Sequence, residues 1–139
     1  MFIPTNVATP DQIFKACTEV QSFLEAHYEA DNPAACEDRG MQAEAYMALT
    51  SKMLADAKYH QDMFTNSAIA STIEEALKAQ KVWSTSIINK KIDALCKDYN
   101  YLVNWCDRLN RSCTHALDFQ RTLISKHKAE KFGAGKFSV

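Results

Sequence analysis

Glycine and proline are nearly absent from this 139-residue chain, with three of each; Pro4, Pro10 and Pro33 all fall in the first quarter. From Gly40 to Gly133 neither residue occurs, which excludes a turn-rich β-fold and points to an all-helical class dominated by long helices. No run of about 18 apolar residues is present, so no segment is expected to span a membrane. The opening Met1-Phe2-Ile3-Pro4 lacks the basic and apolar regions of a secretory signal. The five cysteines, Cys17, Cys36, Cys96, Cys106 and Cys113, are odd in number and form no C-x-x-C pair. They read as free thiols in the reducing cytoplasm. Zinc would have to use Cys113 and His115, but a helix points residues two apart to different sides, so no metal or cofactor is expected.

Catalytic signatures are missing too. There is no Gly-rich phosphate loop, no G-x-S-x-G, no H-E-x-x-H and no Glu-x-x-His pair. His27, His60, His115 and His127 share no face with a Cys or Ser nucleophile. Enzyme chemistry is therefore not expected.

What the chain does have is a lopsided charge. Residues 1–77 hold 12 acidic and 4 basic side chains, while residues 78–139 hold 12 basic and 5 acidic ones, which reduces to −8 against +7. The near-neutral total hides a dipolar molecule suited to holding an anionic polymer or stacking with copies of itself.

A single helical domain is expected over 1–139. Residues 1–8 form an arm. Thr9-Pro10-Asp11-Gln12 is a capping box with proline in the first turn, opening a helix with Ile13, Phe14, Cys17, Val20, Leu24 and Tyr28 on one face. Asp31-Asn32-Pro33 ends it. A second helix, broken or delayed near Gly40, is expected from Met41 to Phe64, with Thr65-Asn66-Ser67 as a turn. A further capping box, Ser71-Thr72-Ile73-Glu74, is expected to start the next helix near the end of the acidic helical region, 9–77. A long basic helix then occupies 78–131, and 132–139 form a flexible tail.

The long helix carries an apolar seam of strict four-three spacing: Ile88, Ile92, Leu95, Tyr99, Leu102, Cys106, Leu109, Cys113, Ala116, Gln120, Leu123 and His127. This is coiled-coil spacing. From Ser84 to Lys131 it makes a rod of roughly 70 Å, against about 30 Å for a compact domain of this length. Two shorter helices cannot cover it. Either it kinks near Trp83-Ser84 or other subunits cover the seam, and the expected architecture is an elongated helical hairpin that forms a homo-oligomer. The interface residues would be Ile88, Ile92, Leu95, Tyr99, Leu102, Leu109 and Leu123.

Away from the seam, Lys90, Lys97 and Arg111 lie directly opposite it, flanked by Arg108, Arg121 and Lys128. A cation stripe of this kind can track a phosphate backbone. It can equally be a solvated face that Asp93, Asp107 and Asp118 partly neutralise. Tyr101, Trp105 and Phe119 are also off the seam, as a second packing edge or as platforms for unpaired bases. Lys58 and His60, before the expected turn, form either a small anion-contacting patch or a helix end facing the dipole.

These residues resemble a family: the small recombination-mediator proteins of T4-like phages, the UvsY type. Lys58-Tyr59-His60-Gln61-Asp62-Met63-Phe64-Thr65-Asn66 is similar to that family's Lys-x-Arg-x-Asp, two aromatics and a Ser-Gly turn. Cys113-Thr114-His115-Ala116-Leu117-Asp118 is similar to its Cys-Ser-Gly-Ala-Leu-Asp run. The ending, with Arg121, Lys126, His127 and Gly135-Lys136, is alike as well. The chain also looks like other small helical proteins of phage recombination clusters. The resemblance implies a ring-like homo-oligomer in the host cytoplasm that binds single-stranded DNA. Such a mediator loads a recombinase onto strands coated by single-strand-binding protein. The family's DNA contacts map onto Lys58 and His60, where a neutral histidine departs from the family's arginine. The alternative function is a non-catalytic coiled-coil protein, structural or inhibitory, that docks a protein partner.

Overall fold

The computed structural model describes residues 4–137. The described residues form four helices: α1 (Pro10–Glu25), α2 (Pro33–Ala79), α3 (Thr85–Leu95) and α4 (Lys97–Phe137). The fold is all-α, with no strand among the described residues.

α1 begins as its sequence directs. Thr9 Oγ1 accepts from Gln12 N at 3.2 Å, and Thr9 N donates to Gln12 Oε1 at 2.9 Å, so two amides at the helix start are satisfied reciprocally. The other end of α1 is closed from outside. Arg39 donates to the carbonyls of Phe23 and Leu24, both at 3.3 Å. Its guanidinium lies 4.7 Å from the Phe23 ring centre and 4.2 Å from that of Tyr28.

α2 differs most from expectation. It starts at Pro33, where Asn32 accepts from the Ala34 and Ala35 amides, and continues through both expected breaks. Gly40 is buried rather than a breaker: a Cβ built there would meet Gln120 Cβ of α4 at 3.5 Å. That is an ordinary packing distance, so the position is a buried helix contact that a small side chain would also fit. Thr65-Asn66-Ser67 is helical, not a turn. Thr65 Oγ1 lies 3.5 Å from Cys96 Sγ, and Ala68 and Thr72 just beyond are buried. Packing overrides the modest helix propensity of the triplet. The helix ends where Gln80 adopts a left-handed conformation, φ 52°, ψ 33°.

The basic helix is correspondingly shorter than expected. It does not begin at residue 78: α3 starts at Thr85, capped by Ser84 Oγ accepting from Ile87 N at 3.3 Å. At Cys96 (φ −90°, ψ 4°) helical geometry lapses for one residue, while bonds from Cys96 N to Ile92 O and from Asn100 N to Cys96 O keep α3 and α4 in sequence. α4 passes Gly133 and stays helical to Phe137, through most of the expected tail; residues 138–139 and 1–3 lie outside the described residues.

α2 and α3–α4 form an antiparallel hairpin, read from the contacts of Gly40 with Gln120, Met47 with Asn110, Gln61 with Asn100 and Glu75 with Lys91. With 47 residues, α2 spans roughly 70 Å. α1 lies along the middle of the hairpin. The core joins Ile13, Cys17 and Val20 of α1 with Ala57 of α2 and Leu102, Cys106, Leu109 and Cys113 of α4.

The apolar seam is therefore covered largely by the chain's own helices. Leu102 and Leu109, expected at a subunit interface, are core residues, and Tyr99 and Leu123 are half-buried. Only at the α3 end does the seam stay open, with Leu95 exposed and Ile88 and Ile92 half-buried. The reason is that α1 and the stretch of α2 from Gly40 to Gln61 together lie against α4 from Asn100 to Gln120, whereas α2 beyond Phe64 shields the α3 end only in part. The charge division is lateral: acidic α1 and α2 lie beside basic α3 and α4.

Candidate nucleic-acid interface

α1 and α4 leave a groove of about 750 Å³ between them, bounded by Gln21, Leu24 and Glu25 on one side and Tyr101, Trp105 and Arg108 on the other. Helical spacing of four and three brings the α4 residues onto one flank. Trp105 is fixed from α1: its Nε1 donates to Gln21 Oε1 at 3.2 Å, and the Phe14 ring meets it edge-on, centroids 5.5 Å apart at 69°. Tyr101 continues the aromatic row 5.8 Å from Trp105. Phe14 and Tyr101 are more than half exposed. Trp105 thus acts as a packing edge toward α1 and still borders open space. Phe119, the third off-seam aromatic, is exposed.

The cations expected to line one stripe are divided. Arg108 stands in the groove, and Arg121 and Lys128 lie on the other side of the line through Lys97 and Arg111, by helical spacing. Lys90 is on α3, across the Cys96 lapse. Arg111 is paired with Asp107 at 3.2 Å and Arg121 with Asp118 at 3.5 Å. Both are exposed pairs of small energetic weight. Lys58, Lys90, Lys97, Arg108 and Lys128 are exposed.

Lys58 and His60 sit within α2, not at a turn. His60 is committed elsewhere: its Nε2 donates to Ala8 O at 2.7 Å, and its ring lies over Tyr99 at 6.5 Å. It belongs to a row, Lys52, Asp56 and His60, that holds the N-terminal arm. Asp56 accepts from Ala8 N at 2.9 Å, and Lys52 donates to Asn6 O at 2.8 Å and to Asp56 at 2.5 Å. Of the eight expected nucleic-acid contacts, only Arg108 joins the aromatic groove. Phe14 and Gln21 were invisible as site residues, since only the docking of α1 on α4 brings them to Trp105.

All five cysteines are free and buried. Cys17 and Cys106 bring their sulfurs to 3.5 Å between α1 and α4. The hydrogen bond with Cys17, and then burial, push the Cys106 thiol up, and burial alone does so for Cys113. Thiols held in this way are poor nucleophiles. Cys113 is buried while His115 is exposed, so the two point apart as their spacing requires, and no cluster able to hold a metal ion occurs among the described residues. No helix among them is long and apolar enough to cross a membrane. No known protein family, curated protein or solved structure matches this chain.

Proposed function

We propose that this protein is a non-catalytic binder of single-stranded nucleic acid that takes the strand in the α1–α4 groove. The observation that carries the reading is the aromatic row Phe14–Trp105–Tyr101 beside Arg108. Unpaired bases stack on aromatic side chains whatever their sequence, and an adjacent guanidinium meets the phosphates. The basic character of α3 and α4, with Lys97 and Lys90 exposed, supports the approach of a polyanion. The resemblance to phage recombination mediators supports a finer form of the proposal: single-stranded DNA held by a homo-oligomer that assists a recombinase on strands coated by single-strand-binding protein.

The test is fluorescence anisotropy of a labelled poly-dT oligonucleotide as salt rises. Wild type should bind and lose affinity steeply with salt. Tyr101→Ala/Trp105→Ala should weaken binding by about tenfold or more, from stacking energies of about 1–3 kcal/mol per base. Undiminished binding by the double variant removes the groove from the proposal, and absence of binding at low salt removes the function. A second reading, docking of a protein partner by a non-catalytic helical rod, is favoured by the apolar side chains left exposed where α2 meets α3; it predicts no oligonucleotide affinity for salt to weaken.

A further inference from the structure

Beyond Phe64, α1 no longer covers the hairpin, and the last turns of α2 face α3 alone. One flank of this two-helix tip is closed by polar contacts. Lys91 pairs with Glu75 at 3.3 Å and lies 4.0 Å over the Trp83 ring. The opposite flank is apolar. Ile69, Ile73 and Leu77 follow at four-residue spacing along α2, with Leu77 73% exposed. Thr72, Ile73, Ala76, Leu77 and Ile88 wall a cleft of about 210 Å³ there, and Lys81 stands at its outer end. Val82, next in the connector, is fully exposed. Helical spacing from Ile88, with Lys91 on the closed flank, puts Asn89 and Asp93 of α3 on the open one.

We propose that this open flank binds the same flank of a second copy of the chain, the two tips overlapping antiparallel about a two-fold axis near Leu77. Two features select a second copy. The first is charge. In an antiparallel overlap, Lys81 at the outer end of one tip comes over Asp93 at the inner end of the other, and the symmetry makes this contact twice. Neither residue has an ion-pair partner among the described residues. A self-complementary patch must carry both signs in this way, whereas a nucleic acid would require cations alone.

The second is area. Side chains of this size present on the order of 100 Å² of apolar surface each when exposed. Ile69, Ile73, Leu77 and Val82 therefore put roughly 300–400 Å² in one place, a patch of the size that marks interaction sites. Pairing two such faces removes about twice that from water before the polar rim is counted, toward the lower end of specific interfaces. The association is accordingly weak and concentration-dependent. Two facing two-helix layers complete a four-helix arrangement in which both inner faces are buried. None of this depends on the nucleic-acid reading.

Light scattering behind size exclusion, on the full chain from low to high micromolar concentration, tests the proposal. The wild-type mass should rise toward twice 15.7 kDa. Ile73→Glu/Leu77→Glu, at exposed positions that leave the fold intact by circular dichroism, should stay at one chain throughout. Lys81→Glu and Asp93→Lys should each weaken association by about tenfold, from two lost exposed pairs and the repulsion that replaces them. The combined Lys81→Glu/Asp93→Lys chain should recover it. A wild type that remains a single chain overturns the proposal, as does association that survives the glutamate variant or is not restored by the charge swap. Flotation of a single-chain wild type with phosphatidylcholine vesicles would assign the flank to a lipid surface and overturn it too. Oligonucleotide binding by the glutamate variant at wild-type strength would leave the groove reading standing on its own.

Discussion

The middle of this molecule and its tip are built from the same two long helices, yet they do different things with one hydrophobic pattern. Where α1 closes the hairpin as a third helix, Leu102, Cys106, Leu109 and Cys113 disappear into a three-helix core. Past Phe64 there is no third helix, and Ile69, Ile73 and Leu77 face outward. A run of heptad spacing thus specifies that a helix has a sticky side, not who occupies it. Occupancy depends on which other segment of the chain is long enough to reach.

The sharpest way to test this contrast is to truncate one side chain in each region. Leu109→Ala should cost about 2–5 kcal/mol in urea unfolding, because it opens a cavity among α1, α2 and α4. Leu77→Ala should change stability by no more than about 0.5 kcal/mol. Equal costs would break the distinction between middle and tip. A smaller effect is expected where the arm meets the middle. Asp56→Ala leaves the Ala8 amide without its acceptor and Lys52 with Asn6 O alone, and should cost about 1–3 kcal/mol, with faster amide exchange near Ala8 and none of that change at the tip.

The smallest effect is a pH slope confined to the middle. Burial holds the Cys113 thiol above the ordinary value of 9.0 in the fold, whereas the bonded pair moves in opposite directions, Cys106 up and Cys17 down. Below 9.0 both folded and unfolded chains keep the Cys113 proton, and its contribution to stability is whole. Above it the unfolded chain releases a proton that the fold retains, so this contribution falls as pH rises. Thermal midpoints should decline between about pH 8 and pH 10, and less so in Cys113→Ala.

Much of the local structure was legible in the residues. The Thr9–Gln12 capping box and the four-three seam reappear in the structure, because each depends on neighbours in sequence; Asp31-Asn32-Pro33, read as the end of the first helix, instead starts α2, and α1 already ends at Glu25. The extent of α2 was not legible. Gly40 and Thr65-Asn66-Ser67 carry breaker chemistry, and what keeps them helical is tertiary: the approach of Gln120 at one and Cys96 at the other. From that one misreading followed the expectation of an uncovered rod. The candidate site was half legible. Tyr101, Trp105 and Arg108 stand out as off-seam aromatics and a cation on one helix, whereas Phe14 and Gln21 join them only through α1 docking. Lys58 and His60 looked like a turn patch, and His60 proves to be an anchor for the arm.

Hydrogen–deuterium exchange of the full chain, with and without a saturating dT oligonucleotide at low salt, tests the central claim most directly. The account predicts slow exchange over α1 and the facing parts of α2 and α4, fast exchange from Phe64 to Leu95, and oligonucleotide protection confined to α1 and the Lys97–Ser112 stretch of α4. Protection centred instead on the α2–α3 tip, or none with the strand demonstrably bound, would contradict it.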